Sequence, residues 1–215
     1  MKKGVIFDLD GTLIDSLEDI AINSNIMLKT LGYPTHQLDN YKHFVGDGAK
    51  ILVQNALPQD ISPDKLDEAL ELFIKLYEKK LHKNTKLYDG VAELLLELTT
   101  LEIKLAILSN KPHKYTNIYV DTLIKNIPFV DVVGQKEKVA KKPDPIAAFD
   151  IASKFKLETH NIYFVGDTAT DMKTAKNANM IAIGVAWGFR SVEELVENGA
   201  DHIINHPLDL LKIVS

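Results

Sequence analysis

Four stretches of this chain have residue types and spacing suited to chemistry. The first is Val5-Ile6-Phe7-Asp8-Leu9-Asp10-Gly11-Thr12-Leu13, three apolar residues followed by two carboxylates set two positions apart and then a glycine. In extended chain Asp8 and Asp10 point the same way. Carboxylates at the end of a buried strand are costly without a counter-charge, and a divalent cation supplies one. Taken alone, the pattern also suits a surface turn after an edge strand. The second is Ser109-Asn110, a hydroxyl and an amide closing an apolar run at 103–108, a type of ending that strands also use with no further role. The third, Val139-Ala140-Lys141-Lys142-Pro143-Asp144-Pro145, sets two lysines just before a helix start, as a solvated loop also would. The fourth, Val165-Gly166-Asp167-Thr168-Ala169-Thr170-Asp171, ends a buried strand in Gly-Asp, with a second acid four residues on where a helix begins. A capping aspartate accounts for one of those acids but not for both. Together the four offer carboxylates for a metal, and a hydroxyl and a lysine for phosphate oxygens.

The elements that must position them follow from hydrophobic period. Val5, Ile6 and Phe7 read as the tail of a buried strand. From Leu17 the period becomes helical, with Ile20, Ala21, Ser24, Met27, Leu28 and Leu31 in phase until Gly32 and Pro34. Shorter helices are expected at 37–44 and 49–57, on either side of the Gly46-Asp47-Gly48 break. A longer one opens at Ser62-Pro63-Asp64, with Leu66, Ala69, Leu70, Phe73, Ile74, Tyr77 and Leu81 on one stripe. Residues 15 to about 85 therefore read as all-helical. Beyond them strands and helices alternate. Strands are expected at 103–108, 130–133, 162–165, 180–185 and 202–204, and helices at 91–98, 115–124, 145–155, 172–177, 192–198 and 208–213. Alternation of this kind gives an α/β fold, a doubly wound, Rossmann-like parallel sheet with helices on both faces. The C-terminal ends of its strands converge on one edge. The expected division is a core of 1–14 and 86–215 with a helical cap at 15–85, inserted one turn after the Asp pair. An insert there lies over the ligand crevice and is large enough to serve as a lid.

Composition narrows the classes. The net charge of −5 and the lack of a Lys/Arg block argue against a nucleic-acid footprint. With no cysteine, thiol catalysis, disulfides and a thiolate zinc site are excluded. No stretch resembles a signal peptide or a membrane span, so the expected setting is the cytoplasm, away from membranes. The seven histidines form no H-E-x-x-H, and neither G-x-S-x-G nor a P-loop is present. Gly46-Asp47-Gly48-Ala49-Lys50-Ile51 lacks the third glycine of a dinucleotide fingerprint and follows no clear strand. Trp187, in Val185-Ala186-Trp187-Gly188, reads as core packing rather than as a substrate platform.

In order and wording, Asp8-Leu9-Asp10-Gly11-Thr12, Ser109-Asn110, Lys142-Pro143-Asp144-Pro145 and Gly166-Asp167 through Asp171 resemble the haloacid dehalogenase superfamily of phosphotransferases. The resemblance spans essentially the whole chain, with 15–85 as the cap. Within the superfamily, Asp10-Gly11-Thr12-Leu13-Ile14-Asp15-Ser16, Gly46-Asp47-Gly48 and the Lys-Pro-Asp-Pro are most similar to phosphoglycolate phosphatases and their near relatives. The resemblance implies that Asp8 attacks phosphorus and forms an aspartyl-phosphate. It implies that Asp10 protonates the leaving alkoxide and then activates water. Mg²⁺ is then held by the Asp8 carboxylate, the Asp10 backbone carbonyl and Asp167, with Asp171 orienting the ligands from behind. Ser109, the Asn110 backbone and Lys142 bind the phosphoryl oxygens. Lys141 is the rival for the lysine role, and Lys142 is preferred because it directly precedes the proline.

The expected activity is thus Mg²⁺-dependent hydrolysis of a small phosphorylated metabolite, 2-phosphoglycolate first, by a monomer or homodimer. Pyrophosphatase, nucleotidase and phosphomutase activities share the core motifs. A hydrolytic dehalogenase needs neither Mg²⁺ nor an acid at the position of Asp10. A non-catalytic binding protein that kept the fold is the alternative from another class.

Overall fold

The structure is a computed structural model and describes residues 2–79, 83–137 and 139–214. It separates into two compact units, Met1–Ile14 with Leu87–Ser215, and Asp15–Lys86.

In chain order, strand β1 (Gly4–Phe7) is followed by the two-residue strand β2 (Ile14–Asp15). The second unit holds α1 (Leu17–Thr30), α2 (Leu38–Phe44), α3 (Ala49–Ala56) and α4 (Pro63–Lys79), and the chain returns through β3 (Lys86–Leu87), which pairs with β2. Asp15 is thus extended, where the helical pattern of 15–85 suggested no strand. Then come α5 (Val91–Thr100), β4 (Lys104–Pro112), α6 (His113–Leu123), β5 (Phe129–Gln135), α7 (Ile146–Phe155), β6 (Ile162–Gly166), α8 (Ala169–Asn177), β7 (Ile181–Val185), α9 (Val192–Glu197), β8 (His202–Ile204) and α10 (Asp209–Val214).

The large sheet has the order β5-β4-β1-β6-β7-β8, parallel throughout. Its central strand, β1, is fully buried, as a strand covered on both faces must be. Alternate residues split between the faces. Ile6, Ala106, Leu108, Phe164 and Ala182 meet Ile151, Phe155, Met172 and Ala175 of α7 and α8. Val5, Phe7, Leu105 and Ile107 turn the other way and are also buried. Phe7 pairs with Ile107 on one side and with Val165 on the other. The ends of β1 and β6 are therefore nearly level, and Leu108 and Ser109 of the longer β4 lie beside them, so the residues at these positions share one edge.

β4 does not end at Ser109-Asn110. It runs on to Pro112, with a register irregularity between Leu108 and Pro112, because β5 is also longer than its apolar stretch and pairs Gln135 with Pro112. Helix α8 likewise starts earlier than Met172. Thr168 is its N-cap and Asp171 lies in its first turn.

The second unit has a core of its own. Ile20, Met27 and Leu28 of α1 are buried, as are Leu66, Ala69, Phe73 and Tyr77 of α4. Leu81, the last residue of the α4 stripe read from sequence, lies outside the described residues. Buried Asp19 fastens the unit's end, accepting the backbone N–H groups of Asn84 (3.0 Å) and Thr85 (2.9 Å) and the Thr85 hydroxyl (2.6 Å). Among the described residues no helix is long and apolar enough to cross a membrane.

Candidate active site

Beyond β1 the backbone folds into a tight loop. The Asp8 N–H donates to Val165 O at 2.9 Å, continuing the sheet by one residue. Leu9 O then accepts the N–H groups of Leu13 and Ile14 at 2.9 and 3.0 Å, and Gly11 N–H donates to Ile14 O at 2.9 Å. Gly11 stands at φ +83°, and a Cβ there would lie 2.2 Å from Asp167 Oδ2. Both backbone and space therefore require glycine. The loop leaves Asp8 buried and Asp10 partly exposed.

Asp167 follows β6 and is held from two directions. Thr12 Oγ1 donates to its Oδ1 at 3.1 Å, and the Phe189 N–H to its Oδ2 at 2.8 Å. Gly188 packs against it so closely that a Cβ would sit 2.2 Å from Asp167 Cβ. Trp187, next to that glycine, donates its indole N–H to Thr12 O at 3.1 Å and is only half-buried. It is thus a strut between the two loops rather than the core residue expected from its sequence context.

Asp171 forms a capping box with Thr168, its Oδ2 accepting the Thr168 N–H (3.0 Å) and hydroxyl (2.7 Å). Its Oδ1 accepts Lys142 Nζ at 2.6 Å. The same ammonium lies 2.8 Å from Asp8 Oδ1. Lys142 is the partner of that buried oxygen. Asn110 fixes the backbone that carries Lys142. Its side chain accepts the Lys142 N–H at 3.0 Å and donates to Lys142 O at 3.2 Å. Lys141 is exposed, so of the two candidate lysines the structure brings Lys142 to the carboxylates. Ser109 is buried near the end of β4, its hydroxyl accepting the Lys111 N–H at 3.2 Å.

The electrostatics of this cluster are unbalanced. Asp8, Asp167 and Asp171 are all buried and offer oxygens within 4.8 Å of one another, while Lys142 pairs with Asp8 and Asp171. Burial pushes the Asp8 carboxyl up to about 6; Lys142 pulls against it and the charge of Asp171 adds to it. Burial likewise holds Asp167 well above the usual carboxylate range, with the charges of Asp171 and Asp8 adding. For Lys142, burial favours the neutral amine but is outweighed by Asp171 and Asp8, which hold it above the ordinary lysine value. A hard divalent cation would relieve this excess of negative charge, and an all-oxygen set suits Mg²⁺. Asp8 and its neighbour Asp167 fit that role. Asp171 has both oxygens engaged by Lys142 and Thr168, which fits an orienting role.

The Asp10 side chain lies outside that cluster. Both its oxygens accept Lys111 Nζ, at 3.0 and 3.1 Å, and the ammonium also stands 4.9 Å over the Tyr119 ring. Lys111 was not singled out from sequence, although it directly follows Ser109-Asn110. A lysine at the end of a buried strand was the available signal.

A family model of haloacid dehalogenase-like hydrolases matches residues 5–185. The chain belongs to that family. As a haloacid dehalogenase-like hydrolase it is 32% identical, over its full length and 79% of the relative's, to the phosphoglycolate phosphatase of Pseudomonas syringae pv. tomato. It is 33% identical to that of Vibrio cholerae, over 99% of this chain and 96% of the other. Among solved structures, one from Haemophilus somnus 129PT, described as a predicted phosphoglycolate phosphatase, superposes with a TM-score of 0.92 at 28% identity and covers 100% of this chain and 98% of that one. The resemblance read from the four motifs, and the doubly wound sheet expected with it, therefore hold for this hydrolase.

Proposed function

We propose that this hydrolase cleaves phosphate monoesters through an aspartyl-phosphate at Asp8, with Mg²⁺ as cofactor and 2-phosphoglycolate as substrate. The observation that carries the reading is the state of Asp8. It is a buried carboxylate just beyond the central strand, with the Lys142 ammonium 2.8 Å from its Oδ1 and the carboxylates of Asp167 and Asp171 close by. The substrate is taken from relatives that align along nearly the whole chain.

In this mechanism an Asp8 oxygen attacks phosphorus, and the bond from phosphorus to the ester oxygen breaks. Asp10 gives its proton to the departing alkoxide, which leaves as the alcohol. A water molecule then attacks the acyl phosphate, Asp10 takes its proton, and orthophosphate leaves with the Asp8 carboxylate restored. Lys142, the Ser109 hydroxyl and the Asn110 N–H meet the phosphoryl oxygens as charge spreads over them. The Asp8 carboxylate, the Asp10 backbone carbonyl and Asp167 would hold Mg²⁺, which when bound would supply further stabilisation of that charge. Asp171 holds Lys142, and Asn110 holds the backbone of Lys142. In this reading residues 15–85 serve as the cap that selects the ester, and substitutions across Gly46–Lys50 should alter which ester is preferred more than they alter turnover of p-nitrophenyl phosphate.

The test is a panel of 2-phosphoglycolate, ethyl phosphate, p-nitrophenyl phosphate, a nucleoside monophosphate and pyrophosphate, each assayed with Mg²⁺ and with excess chelator. The expected result is Mg²⁺-dependent release of phosphate, fastest from 2-phosphoglycolate. Full turnover in chelator would refute the metal assignment and return the dehalogenase reading.

A further inference from the structure

Lys111 is a buried lysine that the proposed mechanism leaves unused. Its side chain is 5% exposed and that of Asp10 is 15% exposed. The ammonium bonds both Asp10 oxygens from one side, stands over the Tyr119 ring and sits at the end of β4. The backbone around it is fixed. Thr116 Oγ1 donates to Lys111 O at 3.2 Å, and a Cβ on Gly134 would come within 2.7 Å of that same oxygen. A lysine buried merely to pair one carboxylate is a poor source of stability, since a packed apolar pair serves as well. Its position has a use in the reaction. Asp10, as the acid, must reach the ester oxygen at hydrogen-bond distance. Lys111 lies one hydrogen bond beyond Asp10, so its ammonium falls within roughly 6 Å of the leaving oxygen.

We infer that Lys111 is a specificity residue, the docking point for a second anionic group carried by the leaving alcohol about two bonds from the ester oxygen. This rests on the phosphomonoesterase reading and deepens it, because it assigns the choice among esters partly to the α/β unit. The chemistry that fits is a short phosphorylated hydroxy acid. Its carboxylate meets Lys111 while its ester oxygen meets Asp10, and its phosphoryl group meets Lys142. An ester without that anion leaves the Lys111–Asp10 pair as it stands.

The test compares 2-phosphoglycolate, ethyl phosphate and p-nitrophenyl phosphate on the wild type, Lys111→Met and Lys111→Arg, all saturated with Mg²⁺. In the wild type, kcat/KM for 2-phosphoglycolate should exceed that for ethyl phosphate by about 10- to 100-fold, the worth of one charge-assisted hydrogen bond, with the difference mainly in KM. Lys111→Met should lower activity on both alkyl esters and collapse their ratio toward one, and Lys111→Arg should restore part of the ratio. If the ratio is unchanged in Lys111→Met while both alkyl esters fall together and the aryl ester is spared, Lys111 serves only to position Asp10, and the inference is overturned. A wild-type ratio near one also overturns it, with no variant needed. Absence of turnover on every ester would instead overturn the phosphomonoesterase reading itself.

Discussion

Replacing Asp8 by asparagine tests the electrostatics of the site with no substrate present. Asp8 is buried against Lys142, and burial raises its carboxyl from 3.8 to about 6. An unfolded aspartate loses its proton near pH 4. Between about pH 4 and 6 the folded chain therefore keeps a proton that the unfolded chain has lost, and stability falls as pH rises through that window. Once both states are ionised, the full shift corresponds to about 3 kcal/mol against the fold. Asparagine keeps the shape and removes the charge, and Lys142 keeps Asp171 at 2.6 Å. In excess chelator at pH 7.5 the variant should be more stable than the wild type by about 1–3 kcal/mol. At about 2–4 °C per kcal/mol for a chain of this size, that is several degrees in Tm. The gap should close near pH 4.5, where native Asp8 is protonated. Saturating Mg²⁺ should raise the Tm of the wild type far more than that of the variant. Scanning calorimetry at the two pH values, with chelator and with Mg²⁺, reads all of this. A variant no more stable than the wild type at pH 7.5, or a gap of equal size at both pH values, would refute the reasoning.

Lys142→Met leaves Asp8 and Asp171 buried without their ammonium and should cost about 3–5 kcal/mol in denaturant unfolding with chelator; adding Asp8→Asn should recover part of that loss, since the two sites are in contact. Gly188→Ala places a methyl 2.2 Å from Asp167 Cβ, so it should displace that carboxylate and abolish the rise in Tm on adding Mg²⁺, measured by the same calorimetry. Asp10→Asn should lower kcat/KM for ethyl phosphate by about 10²–10⁴-fold and for p-nitrophenyl phosphate far less, because phenolate leaves unaided; equal losses on the two esters would show that Asp10 is not the acid.

The sequence carried the frame of this site because the frame depends on period and on strand endings. An apolar run that stops at Asp8, and another that stops at Gly166-Asp167, put acids at the ends of neighbouring parallel strands, and pairing of Phe7 with Val165 makes those ends nearly level. The end of β4 was less legible. Polarity begins at Ser109, but backbone pairing continues to Pro112 because the partner strand is present there, and a one-strand pattern carries no record of its partner's length. Lys111 lay within that misjudged boundary and read as loop. The Asn110 side chain was also beyond reach, since the residue it holds is thirty-two positions away. The clamp of Gly188 and Phe189 on Asp167, and the Trp187 bond to Thr12 O, could not be read either, because these contacts are made by the fold.

Four acids occupy this edge, and residue type alone cannot assign the nucleophile among them. Partner accounting separates them. Asp10 gives both oxygens to Lys111. Asp167 receives Thr12 and Phe189, and Asp171 receives Lys142 and Thr168. Asp8 Oδ1 has the Lys142 ammonium, at 2.8 Å, as its partner. A carboxylate wrapped in donors is stabilised as an anion and is a weaker nucleophile, whereas one held only by desolvation and a nearby cation keeps an available lone pair. The three neighbouring acids thus serve as fixed posts. Their engaged oxygens hold Lys111, Lys142, the α8 N-terminus and the Gly11 loop in place around Asp8, the nucleophile of the proposed mechanism.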